Sequence, residues 1–543
     1  MMQINREGGG SLPQLLNEPR SHGPRLPSAL WRSEQIRRAE AELAAAAGVS
    51  LYELMERAGT ALFDYAKGHW PAAHHWWIFT GPGNNGGDGY VLARLAQAAG
   101  FRVRVIAARA PAQLKGDAHR AAAAFLAAGG QVERFEDVHL TLAEPVFLPD
   151  LLIDALLGSG VRLPLTPAMT KIVATINRLP VPLLAVDLPS GLDADTGHIM
   201  ASPVRATRTL CLVGLKQGLL TGQGPSWCGE LDVDPLGLDL SHWQAPAARR
   251  IDYPALAHLL VPRARCAHKG EQGRVLLIGG NQGMAGAILL AAMACLRTGA
   301  GLVKVCQHPM NVPASQTQPE IMTLARDALV GSSSAAETLP GERLRVGGVN
   351  PWGSVRVLGP GLGLDAWGGA LFKQALCREL PLVLDADGLN WLALQPRHQD
   401  NWVLTPHPAE AARLLGCSTA EVEADRFAAV QTLQGTYGGV VLLKGAGTLI
   451  ADGKQVWLCH EGNPGMASGG MGDLLSGIIA ALLAQGLGAR DATCLGAVLH
   501  GEAADLAATE GERGMLASDL LPWIRFLANP DTPDKLRRRW QNS

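Results

Sequence analysis

The chain has 543 residues, 47% apolar and 18% charged, with 64 glycines, 34 prolines and a net charge of −2. Its length suits two to four domains that can each bury a core, and its composition excludes a disordered or fibrous chain. There is no basic excess to neutralise a phosphate backbone, so nucleic acid is not an expected partner. No apolar stretch reaches the roughly 18–20 residues of a membrane span, so no membrane partner is expected either.

Residues 1–28 are polar, with a Gly-Gly-Gly run and several prolines, and are expected to form a flexible leader. No basic segment followed by an apolar one marks a secretory signal there. The nine cysteines are scattered, odd in number and without a CxxC pair. They read as reduced thiols of a cytoplasmic protein, not as a zinc or disulfide framework. From Ser33 to Ala66, Ile36, Ala39, Leu43, Leu54, Ala58, Leu62 and Tyr65 recur at helical spacing. Short apolar runs at Trp76–Thr80, Val103–Ala107, Val146–Ile153, Leu183–Asp187 and Thr209–Val213 then alternate with helical patterns such as Val91–Ala99 and Met169–Arg178. Such alternation predicts a parallel sheet covered by helices. A break within Leu236–Asp252 separates this block from a second, with strands expected at Arg274–Gly280, Gly301–Cys306, Val355–Gly359, Leu382–Asp385, Trp402–Thr405 and Val440–Lys444. A helix at about Gly472–Gln485 is expected to close it. Residues 325–348 read as an excursion from the core, and the charged residues 531–543 as a tail.

In the first block, Gly81-Pro82-Gly83-Asn84-Asn85-Gly86-Gly87-Asp88-Gly89 follows one strand and opens a helix. Five glycines and two asparagines in nine residues exceed what a tight turn requires. A glycine backbone at a helix start can meet a phosphate closely. Asp154 and Asp187 each end an apolar run, where a carboxylate can bind a cation or move a proton. Alone, each is as readily a loop cap.

GPGNNGGDG, IDALLGSG and VDLPSGLDADTG together resemble the YjeF N-terminal family, the NAD(P)H-hydrate epimerases, over residues 33–234. The resemblance implies a Rossmann-like domain at 29–240 that interconverts the R and S epimers of NADHX and NADPHX. It implies that Asn84, Asn85, Gly86, Gly87, Asp88, Gly158, Ser159, Gly160, Val161, Arg162, Leu163 and Pro164 contact the dinucleotide. It also implies potassium held by Asn85, Asp154 and Ser190, with Asp187 as the catalytic acid/base in contact with substrate.

In the second block, Asn463–Asp473 precedes the closing helix and ends in Gly470-Met471-Gly472-Asp473. Backbone N–H groups there can stabilise charge on a transferring phosphoryl group, and Asp473 is placed to take a proton from an attacking hydroxyl. Gly279–Ala287, Gly359-Pro360-Gly361-Leu362-Gly363, Thr405-Pro406-His407-Pro408 and Lys444-Gly445-Ala446-Gly447-Thr448 stand at the ends of other expected strands. His407 alone is more readily structural; its strand-end place argues for the site.

This set resembles the ribokinase-like ADP/ATP-dependent NAD(P)H-hydrate dehydratases over residues 251–526, with Ala409 departing from an expected glycine. The implied fold is α/β, two three-layer αβα domains, the second at 250–528. The implied reaction phosphorylates the C6 hydroxyl of the S hydrate from ADP, with Mg²⁺, and then eliminates phosphate. Lys444, Gly445, Ala446, Gly447, Thr448 and Gly472 would contact the nucleotide. Ala287, Gly361, Gly363, His407 and the catalytic Asp473 would face the hydrate. NADHX, NADPHX and ADP are thus the expected small-molecule partners, and the chain is expected to be a homo-oligomer. A ribokinase-class kinase of a vitamin alcohol and a non-catalytic nucleotide-binding scaffold are the alternative readings.

Overall fold

The structure is a computed structural model that describes residues 26–138, 148–160, 165–199, 202–326, 352–376 and 380–530. The expected contacts Val161, Arg162, Leu163 and Pro164, most of the 325–348 excursion and the tail from 531 lie outside the described residues.

Two sheets organise the chain. β1 (Ala29–Leu30) precedes the first sheet in sequence but pairs elsewhere. The first sheet holds β2 (His75–Thr80), β3 (Arg102–Ala107), β4 (Val132–Arg134), β5 (Leu151–Ala155), β6 (Leu183–Val186), β7 (Arg208–Leu212) and β8 (Glu230–Asp234). Its order is β4-β3-β2-β5-β6-β7-β8, and every pairing is parallel. Both faces are buried: Trp76 and Ile78 of β2 join one apolar cluster, Trp77 and Phe79 the other. That period of two across a sheet covered on both sides is the three-layer arrangement expected. The order reverses between β2 and β5, which makes their carboxyl ends the natural ligand crevice.

The second sheet has β9 (Ala248–Ile251), β10 (Arg274–Ile278), β11 (Leu302–Cys306), β12 (Ile321–Thr323), β13 (Val355–Leu358), β14 (Leu382–Leu384), β15 (Trp402–Leu404), β16 (Val440–Leu443), β17 (Thr448–Ala451) and β18 (Val456–Cys459). Its order is β1-β9-β18-β17-β16-β15-β14-β13-β10-β11-β12. β17 runs antiparallel to both its neighbours, β16 and β18, and β1 antiparallel to β9, so this sheet is mixed. Leu276 and Ile278 face one core layer while Val275 and Leu277 face the other. Here the order reverses between β10 and β13. Among the described residues no helix is long and apolar enough to cross a membrane.

Several expectations are corrected. The helical stretch 33–66 is two helices, Ser33–Ala46 and Leu51–His69. Ser50 separates them by accepting from the Glu53 amide while Glu53 bonds back to the Ser50 amide, a reciprocal cap. The break at 236–252 contains a strand, β9, and residues 29–30, placed in the first domain, pair with it. Leu26–Ser28, read as leader, are anchored: Arg250 donates to the Leu26 and Pro27 carbonyls and its amide to Ser28. The helix Met471–Ala484 does not close the domain, since Ala489–Ala507 follows and packs on it and Leu520–Leu527 packs in turn on Ala489–Ala507.

The glycine loop is also different from its reading. Asn84–Gly89 is already helical, the first turns of Asn84–Ala98, with no positive φ among its residues. Its glycines serve close packing. A Cβ at Gly86 would stand 2.1 Å from the Gly81 carbonyl oxygen, which is backbone and cannot rotate away. Gly86→Ala is therefore expected to destabilise the first domain by about 1–3 kcal/mol, the usual cost of overpacking. Urea unfolding followed by tryptophan fluorescence checks this; an unchanged midpoint contradicts it.

Candidate functional sites

The first site lies where β2, β5 and β6 end. Gly81 N–H bonds the Ala155 carbonyl at 3.0 Å, tying the two strand ends together, and the helix Asn84–Ala98 starts beside them. Its N-cap is Gly83, which has no side chain to satisfy the first amides. Asn84 is exposed, whereas Asn85, Gly86, Gly87 and Asp88 are buried. Gly158 sits against the Asn85 side chain, with Ser159 half-buried and Gly160 exposed.

Asp154 is fully buried. Its carboxylate accepts from the Ser190 hydroxyl at 2.7 Å, the Ser190 amide at 2.8 Å and the Leu156 amide at 3.2 Å. Burial pushes its carboxyl up to about 6, against those three bonds. The Asn85 side-chain nitrogen is buried without a hydrogen-bond partner. Asn85, Asp154 and Ser190 thus bring an amide oxygen, a carboxylate and a hydroxyl to one crevice, oxygen ligands of the kind a hard cation takes.

Asp187 follows β6 in a tight turn. Its φ is +68° and the Leu188 amide bonds the Val186 carbonyl at 2.8 Å, a γ-turn that side-chain-bearing residues seldom adopt. Such strain persists only where its surroundings hold it. Here the buried Lys216 ammonium bonds both the Asp187 carboxylate and the Leu212 carbonyl, and the Leu212 amide donates to Asp187 at 3.2 Å. Burial works against the Lys216 charge, but Asp187 outweighs it and the ammonium is held above its ordinary range. Asp88 faces the same pair: burial first, then Asp187 and Glu40, raise its carboxyl. Burial lifts Glu40 to about 7.

The second site lies at the switch point of the larger sheet. Ala287 is in the first turn of the helix Ala285–Thr298, and a Cβ on Gly361 would stand 3.5 Å from the Ala287 methyl. The Gly363 amide bonds Asp387 at 2.8 Å. Asp385, just past β14, accepts from Lys444 Nζ at 2.8 Å and from Ser476 Oγ at 2.6 Å. Gly472 lies beside the Lys444 ammonium. Asp473 occupies the first turn of the helix Met471–Ala484, whose N-cap is Gly470. Burial, then the Asp385 charge, push its carboxyl up to about 7, with Lys444 opposing. Lys444–Thr448 makes the turn between β16 and β17, with Gly445 and Ala446 exposed. His407 caps the helix Pro408–Leu415, its Nδ1 accepting from the Ala409 amide at 3.1 Å. The structural role weighed for it is therefore filled, and its ring remains half-exposed at this end of the sheet.

Sequence reasoning missed Lys216, Glu40, Asp88 as a member of an acid cluster, Asp385, Asp387 and Glu410, whose carboxylate accepts from the His407 amide at 2.8 Å and lies 3.8 Å from Lys444 Nζ. Asp385 carried the same signal as Asp154 and Asp187, an acid at the end of an apolar run. Lys216 stood alone in Leu210–Leu220, and a single lysine in so apolar a stretch marks a buried ion pair. His500 was also missed; burial holds it neutral, down to about 4, beside the Met471 backbone.

A family model described as NAD(P)H-hydrate dehydratase matches residues 275–525, and one described as YjeF-related protein N-terminus matches residues 51–218. The bifunctional NAD(P)H-hydrate repair enzyme Nnr of Vibrio cholerae is 45% identical over 508 residues, covering 93% of this chain and 99% of that protein. The enzyme of the same name from Escherichia coli is 43% identical over 526 residues, covering 95% and 97%. A crystal structure of the ADP/ATP-dependent NAD(P)H-hydrate dehydratase of Bacillus subtilis, co-crystallised with ATP and Mg²⁺, covers 51% of this chain and 95% of its own at 26% identity and a TM-score of 0.43. With its α/β fold of two sheets and a buried polar site at the switch point of each, the chain belongs to the family of bifunctional NAD(P)H-hydrate repair enzymes.

Proposed function

We propose that the chain restores hydrated nicotinamide cofactors in two steps, epimerising the R and S forms of NADHX and NADPHX and dehydrating the S form to NADH or NADPH at the expense of ADP. The observation that carries this reading is that two carboxylate–lysine pairs, Asp187–Lys216 buried and Asp385–Lys444 largely so, stand at the carboxyl ends of strands in two different sheets of one chain.

In the first site, C6 of the hydrate bears both a hydroxyl and the ring nitrogen. A proton placed on the hydroxyl lets the C6–O bond break with water leaving, the nitrogen lone pair stabilising the C6 cation, and water returning to the opposite face with loss of that proton inverts the carbon. Asp187 supplies that acid/base group, and Lys216 orients its carboxylate. Asn84–Asp88 and Gly158–Gly160 line the path of the dinucleotide, the uncapped helix start facing its phosphates. Potassium would be held by Asn85, Asp154 and Ser190, and would supply a fixed positive charge beside those phosphates.

In the second site, Asp473 takes the proton of the C6 hydroxyl as its oxygen attacks the terminal phosphorus of ADP, and the bond to AMP breaks. The C6–O bond of the phosphorylated hydrate then breaks, phosphate leaves, and loss of a proton from C5 forms the ring double bond. Phosphate leaves readily where hydroxide does not, which is why a nucleotide is spent. Lys444–Thr448 and Gly472 receive the nucleotide; Ala287, Gly361, Gly363 and His407 border the hydrate. Asp385 and Asp387 are already bonded to Lys444, Ser476, Asn390 and the Gly363 amide. Mg²⁺ would therefore enter on the nucleotide phosphates, as it commonly does, and neutralise their charge there. We place this work in the cytoplasm, in a homo-oligomer.

Two results test the assignment. With mixed epimers and ADP·Mg²⁺, Asp187→Asn is expected to consume the S form and leave the R form, while Asp473→Asn interconverts epimers and forms no NADH. Chiral chromatography of the hydrates checks both, and equal activity of either variant with the parent chain contradicts the assignment. The pH profile is the second. Asp473 is a base only when ionised, and its carboxyl lies at about 7. Dehydratase kcat/KM should therefore fall about tenfold per pH unit below about pH 7 and level off above it. A profile flat from about pH 6 to about pH 8 contradicts that role for Asp473.

A further inference from the structure

The nucleotide turn of the second domain is held by a segment of the first. Lys216 leads into the helical turn Gln217–Leu220, and both Gln217 and Thr221 are buried. The Thr221 hydroxyl lies 3.1 Å from the Ala446 carbonyl and 3.1 Å from the Gly447 carbonyl, and accepts from Arg426 Nε at 3.1 Å. The Gly222 amide donates to the same Ala446 carbonyl at 3.2 Å. Arg426, 1% exposed, reaches on to the Lys444 carbonyl at 3.1 Å and to Glu423 at 3.0 Å. The fit is close: Gly447 has φ +63°, and a Cβ there would stand 2.0 Å from the Leu220 carbonyl oxygen.

These bonds fix the direction of the turn's amides. In a trans peptide the C=O and the following N–H point opposite ways. With the Lys444 and Ala446 carbonyls drawn inward to Arg426 and Thr221, the Gly445 and Gly447 N–H groups are turned outward. These alternate amides, turned to one side of the turn, can both donate to the oxygens of a phosphate. Without the inward partners, the turn's peptide planes are free to rotate.

We infer that Thr221, a residue of the epimerase domain, is a positioning residue for nucleotide recognition by the dehydratase domain, setting the amides of Lys444–Gly447 through its bonds to Ala446, Gly447 and Arg426. This rests on the assignment of that turn to the nucleotide. It makes the two domains one functional unit: the segment whose first residue orients Asp187 also shapes, at its far end, the site of the second reaction.

The test is Thr221→Val in the full chain, which removes the hydroxyl at nearly constant volume, with Thr221→Ser as the conservative partner. ADP binding is measured by titration calorimetry, alongside dehydratase and epimerase kinetics. Loss of bonds to a charged group predicts a rise of about tenfold in the Kd and KM for ADP. Dehydratase kcat and epimerase rate should stay within about twofold, with serine restoring ADP affinity. Epimerase activity in the same sample reports the fold; if it is lost, Arg426→Lys, which withdraws the Nε donor, carries the same expectation. Unchanged ADP affinity in an epimerase-active variant overturns the inference, as does a serine variant as weak as valine. Failure of the parent chain to bind ADP would overturn the nucleotide assignment of the turn instead, so the two failures are distinguishable.

Discussion

The pairing of a buried lysine with a strand-end carboxylate is the constraint on which the rest depends. Taking two charges out of water costs several kcal/mol per ion unless each finds a close partner. Asp187 and Lys216 meet that cost by bonding each other, while the Leu212 amide donates to Asp187 and the Leu212 carbonyl accepts from Lys216. Asp385 and Lys444 do the same with Ser476. Both places also carry strained backbone: φ is +68° at Asp187 and +47° at Ala386, next to Asp385. Strain of about 1–3 kcal/mol per residue persists only where surrounding structure over-determines it. The parallel sheets provide that rigidity, and the order reversal in each opens the crevice where a dinucleotide or nucleotide can enter.

The two domains are less separate than their motifs suggest. β1, at the start of the first, completes the sheet of the second. Leu188, Leu192, Leu215, Leu219 and Leu220 belong to the same apolar cluster as the strands and helices of the larger domain. Thr221 then bonds the Lys444–Thr448 turn. Hydration of the ring double bond yields both epimers, and a single chain holding both sites together handles the mixture without dissociating its parts. The packing gives that chemical convenience a physical form.

How far the sequence carried this reading depended on how local each signal was. The apolar runs of β2, β10, β13 and β16 were legible because strands buried on both faces are continuously apolar. β1, β4 and β9 were not: β1 has two residues, and charged side chains interrupt β4 and β9, so no apolar run marks them. Asn84–Gly89 read as a loop because glycine is a poor helix former, yet tertiary packing against the Gly81 carbonyl selects it over any bulkier residue. Asp154, Asp187 and Asp473 were found by position at element ends. Lys216, which bonds Asp187, Asp385, which bonds Lys444, and Arg426, which bonds Thr221, were missed because each bond spans a long sequence separation or a domain boundary, and no spacing rule reports such contacts.

The central claim is that one chain carries hydrate to reduced cofactor through a phosphorylated intermediate. The most direct measurement supplies the full chain with mixed NADHX epimers, ADP and Mg²⁺, and counts AMP, phosphate and NADH together. The account predicts one AMP and one phosphate per NADH until all the hydrate is consumed. A stable phosphorylated product without NADH, or NADH formed without AMP, would contradict it.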